Sequence, residues 1–263
     1  MEHTSHSTGE RPFLTVIIPT RNEAERIQPT LKDIHAYLEK QDYTAQVVII
    51  ENGSTDNSVE VIQGFQKTMD ELVLDSPRPC PGKGCAVKIG MTKYDGEWLL
   101  FMDADNATPL REVEKFWAAT KEGYEVIIGS RHIKGSSITA DQPWYRRLLG
   151  RSANLLIQVL LLPGIKDTQA GFKMFSRDAA KKIFPLQSID RWGFDMEILA
   201  LAKMFAYKIK EVPIEWHDVG ESRLRPVKAA IGTLSELLTI RWRLLNGSYR
   251  RAANKQTTAS HDA

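Results

Sequence analysis

The sequence predicts an α/β protein with a mostly parallel central sheet flanked by helices. Three observations carry that expectation. Short apolar runs recur along the first half of the chain, each followed by a polar loop and then by a segment of helical periodicity. The runs are apolar almost throughout rather than alternating, as strands covered on both faces are. At 263 residues, 42% hydrophobic and 26% charged, the chain can bury a sizeable core.

The first strand is Phe13 to Pro19, β-branched and stopped by proline. Thr20-Arg21-Asn22-Glu23 follows as a polar loop, and Ile27, Leu31, Ile34 and Leu38 then repeat at helical spacing from about Ala24 to Glu39. Gln46 to Ile50 is the second strand, and Glu51 to Ser58 a polar turn with acceptors, a glycine and capping residues. A helix through Val59, Ile62 and Phe65 leads to a short strand, Leu72-Val73-Leu74. Pro77 to Gly84 is a Pro/Gly-rich loop carrying Lys83, followed by a helix from about Cys85 to Met91. Trp98 to Met102 is a fourth strand, a helix covers about Glu112 to Glu122, and Glu125 to Gly129 is a strand ending in Ser130-Arg131.

The second half is less regular. Gly135 to Pro143 reads as a loop, either a flap or a linker, and Trp144 to Leu162 as a helix whose Leu155–Leu162 run is a core segment or a dimer face. Asp167 to Phe175 packs acid, hydroxyl, amide, glycine and cation together as a second polar wall. Asp178 to Ile183 is a capped helix, and Arg191 to Leu199 begins another with Asp195 near its N-terminus, where a negative charge is favoured. Lys208 to Trp216 is a late strand that Pro213 assigns to an edge or a bulge. Asp218 to Arg225 is a flexible loop with Arg223 and Arg225. The last helix, about Val227 to Leu245, aligns Val227, Ile231, Leu234 and Leu238 in one stripe, with Arg241, Trp242 and Arg243 beyond. That stripe suits either docking on the protein body or contact with an anionic bilayer. Residues 1–11 read as a disordered lead-in, 12–248 as a single domain and 249–263 as a disordered tail.

Composition excludes some classes of function. A net charge of +2 gives no global attraction to nucleic acid. No stretch has the ~18 uninterrupted apolar residues of a membrane span. Cys80 and Cys85 lack the second pair or neighbouring histidine that zinc needs, and read as two thiols of a reducing cytoplasm.

The chemistry collects at strand ends. Asp103 and Asp105 lie just past an apolar strand and, being two residues apart, can point the same way. The pair is either a Mg²⁺ or Mn²⁺ site or two solvated acids. Asn22, Glu23, Glu51, Asp56 and Arg131 fall at the ends of the other strands, the edge where open α/β sheets bind ligands.

These residues carry a family resemblance. Val16 to Glu23, Glu51 to Asp56 and Asp103-Ala104-Asp105 resemble the inverting family 2 glycosyltransferases, whose GT-A fold has a Rossmann-like sheet. Gly129-Ser130-Arg131, Asp167 to Lys173, Arg191 to Glu197 and Ile240 to Gly247 are similar to the polyprenyl-phosphate branch, most of all to dolichyl-phosphate β-glucosyltransferases. Glu51-Asn52 departs from the pair of aspartates common in the wider family.

The resemblance implies a nucleotide-sugar donor, UDP-glucose, with GDP-mannose as an alternative. Pro19, Thr20, Asn22, Glu23, Glu51, Asp56 and Lys83 would bind the nucleotide. Asp103 and Asp105 would hold the ribose edge and Mg²⁺ or Mn²⁺, and Arg223 would close over the diphosphate. Arg131, Thr168, Gln169 and Lys173 would receive the acceptor, a polyprenyl phosphate at a membrane surface or a small soluble molecule. Asp195 would be the base for a hydroxyl acceptor, or would grip donor-sugar hydroxyls if the acceptor is a phosphate. The implied location is cytoplasmic, peripheral on the cytoplasmic membrane face.

Overall fold

The computed structural model describes residues 11–139, 154–217 and 226–259. Residues 140–153 and 218–225 lie outside the described ones, and with them the second part of the expected flap, the start of the following helix, Arg223 and Arg225. The sheet begins with β1 (Leu14–Thr20), β2 (Ala45–Glu51), β3 (Leu72–Asp75), β4 (Trp98–Met102) and β5 (Val126–Ser130). Between them run α1 (Ala24–Leu38), α2 (Ser58–Phe65), α3 (Lys83–Lys93), a 3₁₀ turn over Leu110–Lys115 and α4 (Trp117–Lys121). The later elements are β6 (Ser137–Thr139), α5 (154–160), β7 (Phe172–Ser176), α6 (Arg177–Ile183), α7 (Phe194–Met204), β8 (Ile209–Pro213), β9 (Glu215–His217), α8 (Pro226–Leu245) and α9 (Ser248–Ala259).

Seven strands form one sheet in the order β3-β2-β1-β4-β7-β5-β8, and β6 pairs with β9 beside it. β1, β2, β3 and β4 are parallel, as are β5 and β8. β7 runs antiparallel between β4 and β5, with Leu100 opposite Met174 and Ile127 opposite Met174 from the other side. This strand is absent from the sequence reading, which takes 167–175 as a polar wall. β8 is the outer strand, as Pro213 requires.

Alternate residues of each strand serve two cores. Ile17, Val48, Ile50, Phe101 and Phe175 face α3, α6 and α7; Val16, Ile18, Val47, Ile49, Leu100 and Met174 face α1 and α2. Covered on both faces, these strands need the continuous apolar runs seen in the sequence. The topology reverses between β1 and β4, so their C-terminal ends open a crevice where the sheet changes direction. Because β7 is antiparallel, its N-terminal end comes to that same edge.

Two expectations are corrected. Cys80 and Cys85 are joined in a disulfide with Cα atoms 6.2 Å apart, so they are not the expected free thiols. Residues from Ser248 to Ala259 form a helix rather than an irregular tail, and the buried Tyr249 donates its hydroxyl to Glu197 at 2.6 Å. Among the described residues no helix is long and apolar enough to cross a membrane.

Candidate active site

The first wall comes from the loops after β1 and β2, which are tied to one another. The Asn22 N–H donates to Ser54 Oγ at 2.9 Å, and the Asn22 side chain accepts from the Thr55 N–H at 2.7 Å. Asn22 adopts φ of 55°, a left-handed conformation that asparagine tolerates better than most residues. The Glu23 N–H reaches Ser58 Oγ at 2.9 Å, while its carboxylate pairs with Arg26 at 2.6 Å. Asp56 accepts from the Ala24 N–H at 3.2 Å and from the Ser58 N–H at 3.0 Å, capping the starts of α1 and α2. Desolvation raises the Asp56 carboxyl, but those hydrogen bonds outweigh it and leave the pKa below the ordinary value. Glu51 and Thr20 are buried at their strand ends, with Pro19 half-buried beside them. The structure therefore brings the expected nucleotide residues to one edge. It also gives Asn22 and Asp56 structural duties that the sequence reading did not assign.

Asn52 explains the departure after β2. Its amide donates to the Cys80 carbonyl at 3.0 Å and accepts from the Cys80 N–H at 2.8 Å. An aspartate could accept but not donate. The amide thus holds the disulfide loop that delivers Lys83. Gly82, at φ of 132°, lets that loop approach closely: a Cβ there would come within 2.6 Å of the Asp190 carbonyl.

Lys83 leads into the second feature, the acids after β4. Its ammonium pairs with Asp103 and lies 5.9 Å from the rings of both Trp192 and Phe194. A Cβ on Gly171 would collide with the Asp103 carboxylate, so the glycine before β7 makes the space that Asp103 occupies. Asp105 accepts from the Ala107 N–H at 3.1 Å. Burial, then repulsion from Asp103, pushes the Asp105 carboxyl above the usual range, against the pull of Lys83. Lys83 already neutralises Asp103, and among the described residues no group of three or more acid, histidine or cysteine side chains converges here, so Asp103 and Asp105 alone would offer the hard oxygens that suit Mg²⁺ or Mn²⁺.

The opposite wall is built from ion pairs. Arg131, just past β5, grips Asp167 from Nε at 2.8 Å, Nη2 at 3.0 Å and its backbone N–H at 2.9 Å, and its guanidinium lies 5.4 Å from the Trp216 ring. Glu211 on β8 accepts the backbone N–H groups of Lys166 and Asp167, both at 2.9 Å. Burial would raise the Asp167 carboxyl, but Arg131 overrides it and holds the pKa down to about 2. The next two residues carry buried polar atoms with no partner among the described residues, Thr168 Oγ1 and Gln169 Nε2.

Lys173 departs from its expected role. Its side chain is 0% exposed, and its ammonium is held by Asp195 and by the Ala170 carbonyl. It therefore cannot meet an acceptor directly. It positions Asp195 instead, because β7 carries the lysine into the sheet against Phe101, 5.4 Å from that ring. Burial lowers the Lys173 ammonium and raises the Asp195 carboxyl, so each depends on the other for its charge.

The sequence reading marked Asn52 as a departure from the family's acid without assigning it the disulfide loop, and it missed three contributors: Asp167 as the partner of Arg131, Glu211 and Trp216. These three depend on contacts between distant strands and carry no local signal.

The sequence and the fold have counterparts. The model of the family described as glycosyl transferase family 2 matches residues 15–184. Dolichyl-phosphate beta-glucosyltransferase of Saccharomyces cerevisiae is 35% identical over 265 residues, covering 93% of this chain and 79% of that protein. Its Homo sapiens counterpart is 32% identical over 251 residues, covering 90% and 77%. A Trichomonas vaginalis dolichyl-phosphate beta-glucosyltransferase is 35% identical over 224 residues, and there the match takes in 81% of this chain and 66% of the relative. Among solved structures, glucosyl-3-phosphoglycerate synthase from Mycobacterium tuberculosis with Mn²⁺, UDP-glucose and phosphoglyceric acid superposes with a TM-score of 0.64. That match covers 88% of this chain and 80% of the other at 18% identity, a likeness of fold. With a family model spanning most of the sheet and relatives matching at least nine-tenths of this chain, it belongs to glycosyltransferase family 2.

Proposed function

We propose that this chain is an inverting glucosyltransferase that moves glucose from UDP-glucose to the phosphate of a polyprenyl lipid, working peripherally at the cytoplasmic face of a membrane. The names of its relatives support the lipid-phosphate acceptor. The observation that carries the reading is the contrast between Arg131 and Asp195. A hydroxyl acceptor must lose a proton as it attacks, so it needs an available carboxylate. Asp195 is buried and bonded to Lys173. A phosphate is already an anionic nucleophile and needs only positioning. Arg131, fixed by Asp167 and still partly exposed, supplies donors for such an anion.

In this reading an acceptor phosphate oxygen forms a bond to C1 of glucose as the bond from C1 to the UDP oxygen breaks. A single displacement turns an α-linked donor into a β-linked product. Pro19, Thr20, Asn22, Glu23, Glu51 and Asp56 line the nucleotide side. Asp195, held by Lys173, faces the sugar hydroxyls. Asp103 and Asp105 would hold Mg²⁺ or Mn²⁺, which neutralises charge on the departing diphosphate. Lys83 adds a fixed cation beside the same acids.

The test is a donor-by-acceptor turnover assay with UDP-glucose or GDP-mannose, with and without a short polyprenyl phosphate, in Mg²⁺ or Mn²⁺. The expected result is UDP release that requires the lipid phosphate and falls about 100-fold or more in Arg131→Ala. UDP-glucose cleavage indifferent to lipid phosphate, and stimulated by a small hydroxyl compound, would overturn the acceptor assignment.

A further inference from the structure

We infer that the outward face of α8 is a bilayer-docking surface that takes an anionic leaflet. The argument starts from which side of the helix is held. Leu237 and Ile240 are buried, and Glu236 accepts the Gly193 N–H at 2.8 Å. Arg243 bonds to Ser188 and lies 3.9 Å from the buried Glu197. These residues pin one side of α8 to the start of α7. At about 100° per residue, the other side presents Leu234, Leu238, Trp242 and Leu245 within about 80° of arc.

That outward side is where an ordinary surface helix is polar. Here Leu234 is 42% exposed, Leu238 54%, Trp242 66% and Leu245 68%. The described members of the stripe expected from the sequence to be either a docking face or a bilayer face, Leu234 and Leu238, are therefore turned away from the body. The charges decide the occupant. Residues 237–259 contain no aspartate or glutamate but hold Arg241, Arg243, Arg250, Arg251 and Lys255. Arg241 and Arg250 are exposed at the rim of the stripe and on the following helix. An apolar row with a tryptophan, bordered by Arg241 and with the span's acid, Glu236, turned inward onto Gly193, complements an anionic lipid surface. On α5, Leu155 and Val159, one helical turn apart, are likewise 62% and 72% exposed. A cleft of about 260 Å³ lined by Leu161, Ala200, Lys203, Met204, Leu244 and Arg250 brings the end of α5 beside α8 and α9.

The surface is argued from exposure and charge and rests on the lipid-acceptor reading only for its purpose. Docking through α8 would hold the start of α7, on the other side of that helix, near the leaflet that holds the acceptor. Glu197, two residues from Asp195, accepts from Ser188 and Ile189 at 2.9 and 2.8 Å and from Tyr249 at 2.6 Å, so the anchor and the site share one helix.

The test is vesicle flotation of the full chain with phosphatidylcholine alone or mixed with phosphatidylserine. The wild type is compared with the triple variant L234Q/L238Q/W242Q, and turnover is measured on a short acceptor in detergent. The expected result is flotation that needs phosphatidylserine, weakens in high salt, and falls at least about tenfold in the triple variant, while detergent turnover is retained. Equal flotation of both proteins would overturn the inference. So would no flotation of the wild type with a dimer in sedimentation that the triple variant dissociates, which would assign the face to a second copy. A wild type that floats but shows no lipid-phosphate turnover leaves the surface standing and removes the acceptor assignment instead.

Discussion

The two walls of the site are fixed by different physics. The donor wall, after β1 and β2, is a lattice of neutral and charge-assisted hydrogen bonds among Asn22, Ser54, Asp56 and Ser58, of which only Ser58 is buried. The acceptor wall, between β5 and β7, is held by two ion pairs, Lys173–Asp195, buried on both sides, and Arg131–Asp167, in which the carboxylate is buried and the guanidinium partly exposed. A hydrogen-bonded loop lattice can lose one member at modest cost, because water replaces the missing partner. A buried pair cannot: each partner leaves behind a desolvated charge. The acceptor side should therefore fail sharply and the donor side gradually, apart from the acids that carry the chemistry.

The sharpest failure is expected at Asp167. Asp167→Ala leaves the Arg131 guanidinium without its carboxylate and should lower folding stability by about 3–5 kcal/mol, measured by urea unfolding. The acceptor KM should rise while the UDP-glucose KM stays near wild type. The pH dependence carries the same signature. The folded pKa of about 2 lies below the ordinary 3.8, so the pair contributes stability above pH 4 that is lost as pH falls through about 2. That difference is worth about 2 kcal/mol, and the acid limb of the stability curve should flatten in Asp167→Asn. An unchanged limb would make the acceptor wall no different in kind from the donor wall.

Asp105 should behave in the opposite way. Its carboxyl is pushed up by burial and by Asp103, so Asp105→Asn relieves repulsion. The melting temperature should hold or rise while turnover falls about 10²–10³-fold. A variant that lost stability together with activity would place Asp105 among the structural residues, with Asp56.

The same contrast explains what could be read from the sequence. The parallel strands and their helices were legible because each rests on a local period, and the site acids because each strand ends abruptly in them. β7 was not legible, since Phe172–Ser176 becomes a strand only by pairing with β4 and β5, both more than forty residues earlier in the chain. Lys173 was misplaced for that reason. A lysine in a polar run reads as an open cation, whereas in the sheet it is 0% exposed and held by Asp195. The Cys80–Cys85 bridge and the seat of Tyr249 on Glu197 likewise follow from tertiary proximity. The stripe on α8 was legible as a stripe, but its direction was set by the contacts of Glu236 and Arg243.

The smallest effect is expected at Asn52, which tests the tolerant side of the comparison. Asn52→Asp keeps the acceptor for the Cys80 N–H but removes the donor to the Cys80 carbonyl. The new carboxylate would sit beside the buried Glu51, and the loop it restrains carries Lys83 to Asp103. A lost hydrogen bond of this kind is worth about 1 kcal/mol, so the melting temperature should fall by a few degrees. The kinetic consequence should appear on the donor, as a several-fold higher UDP-glucose KM with the acceptor KM unchanged, because only the Lys83 side of the crevice loosens. An effect as large as that of Asp167→Ala would mean that the disulfide loop is as critical to the fold as the buried pairs. The two walls would then differ in composition but not in tolerance.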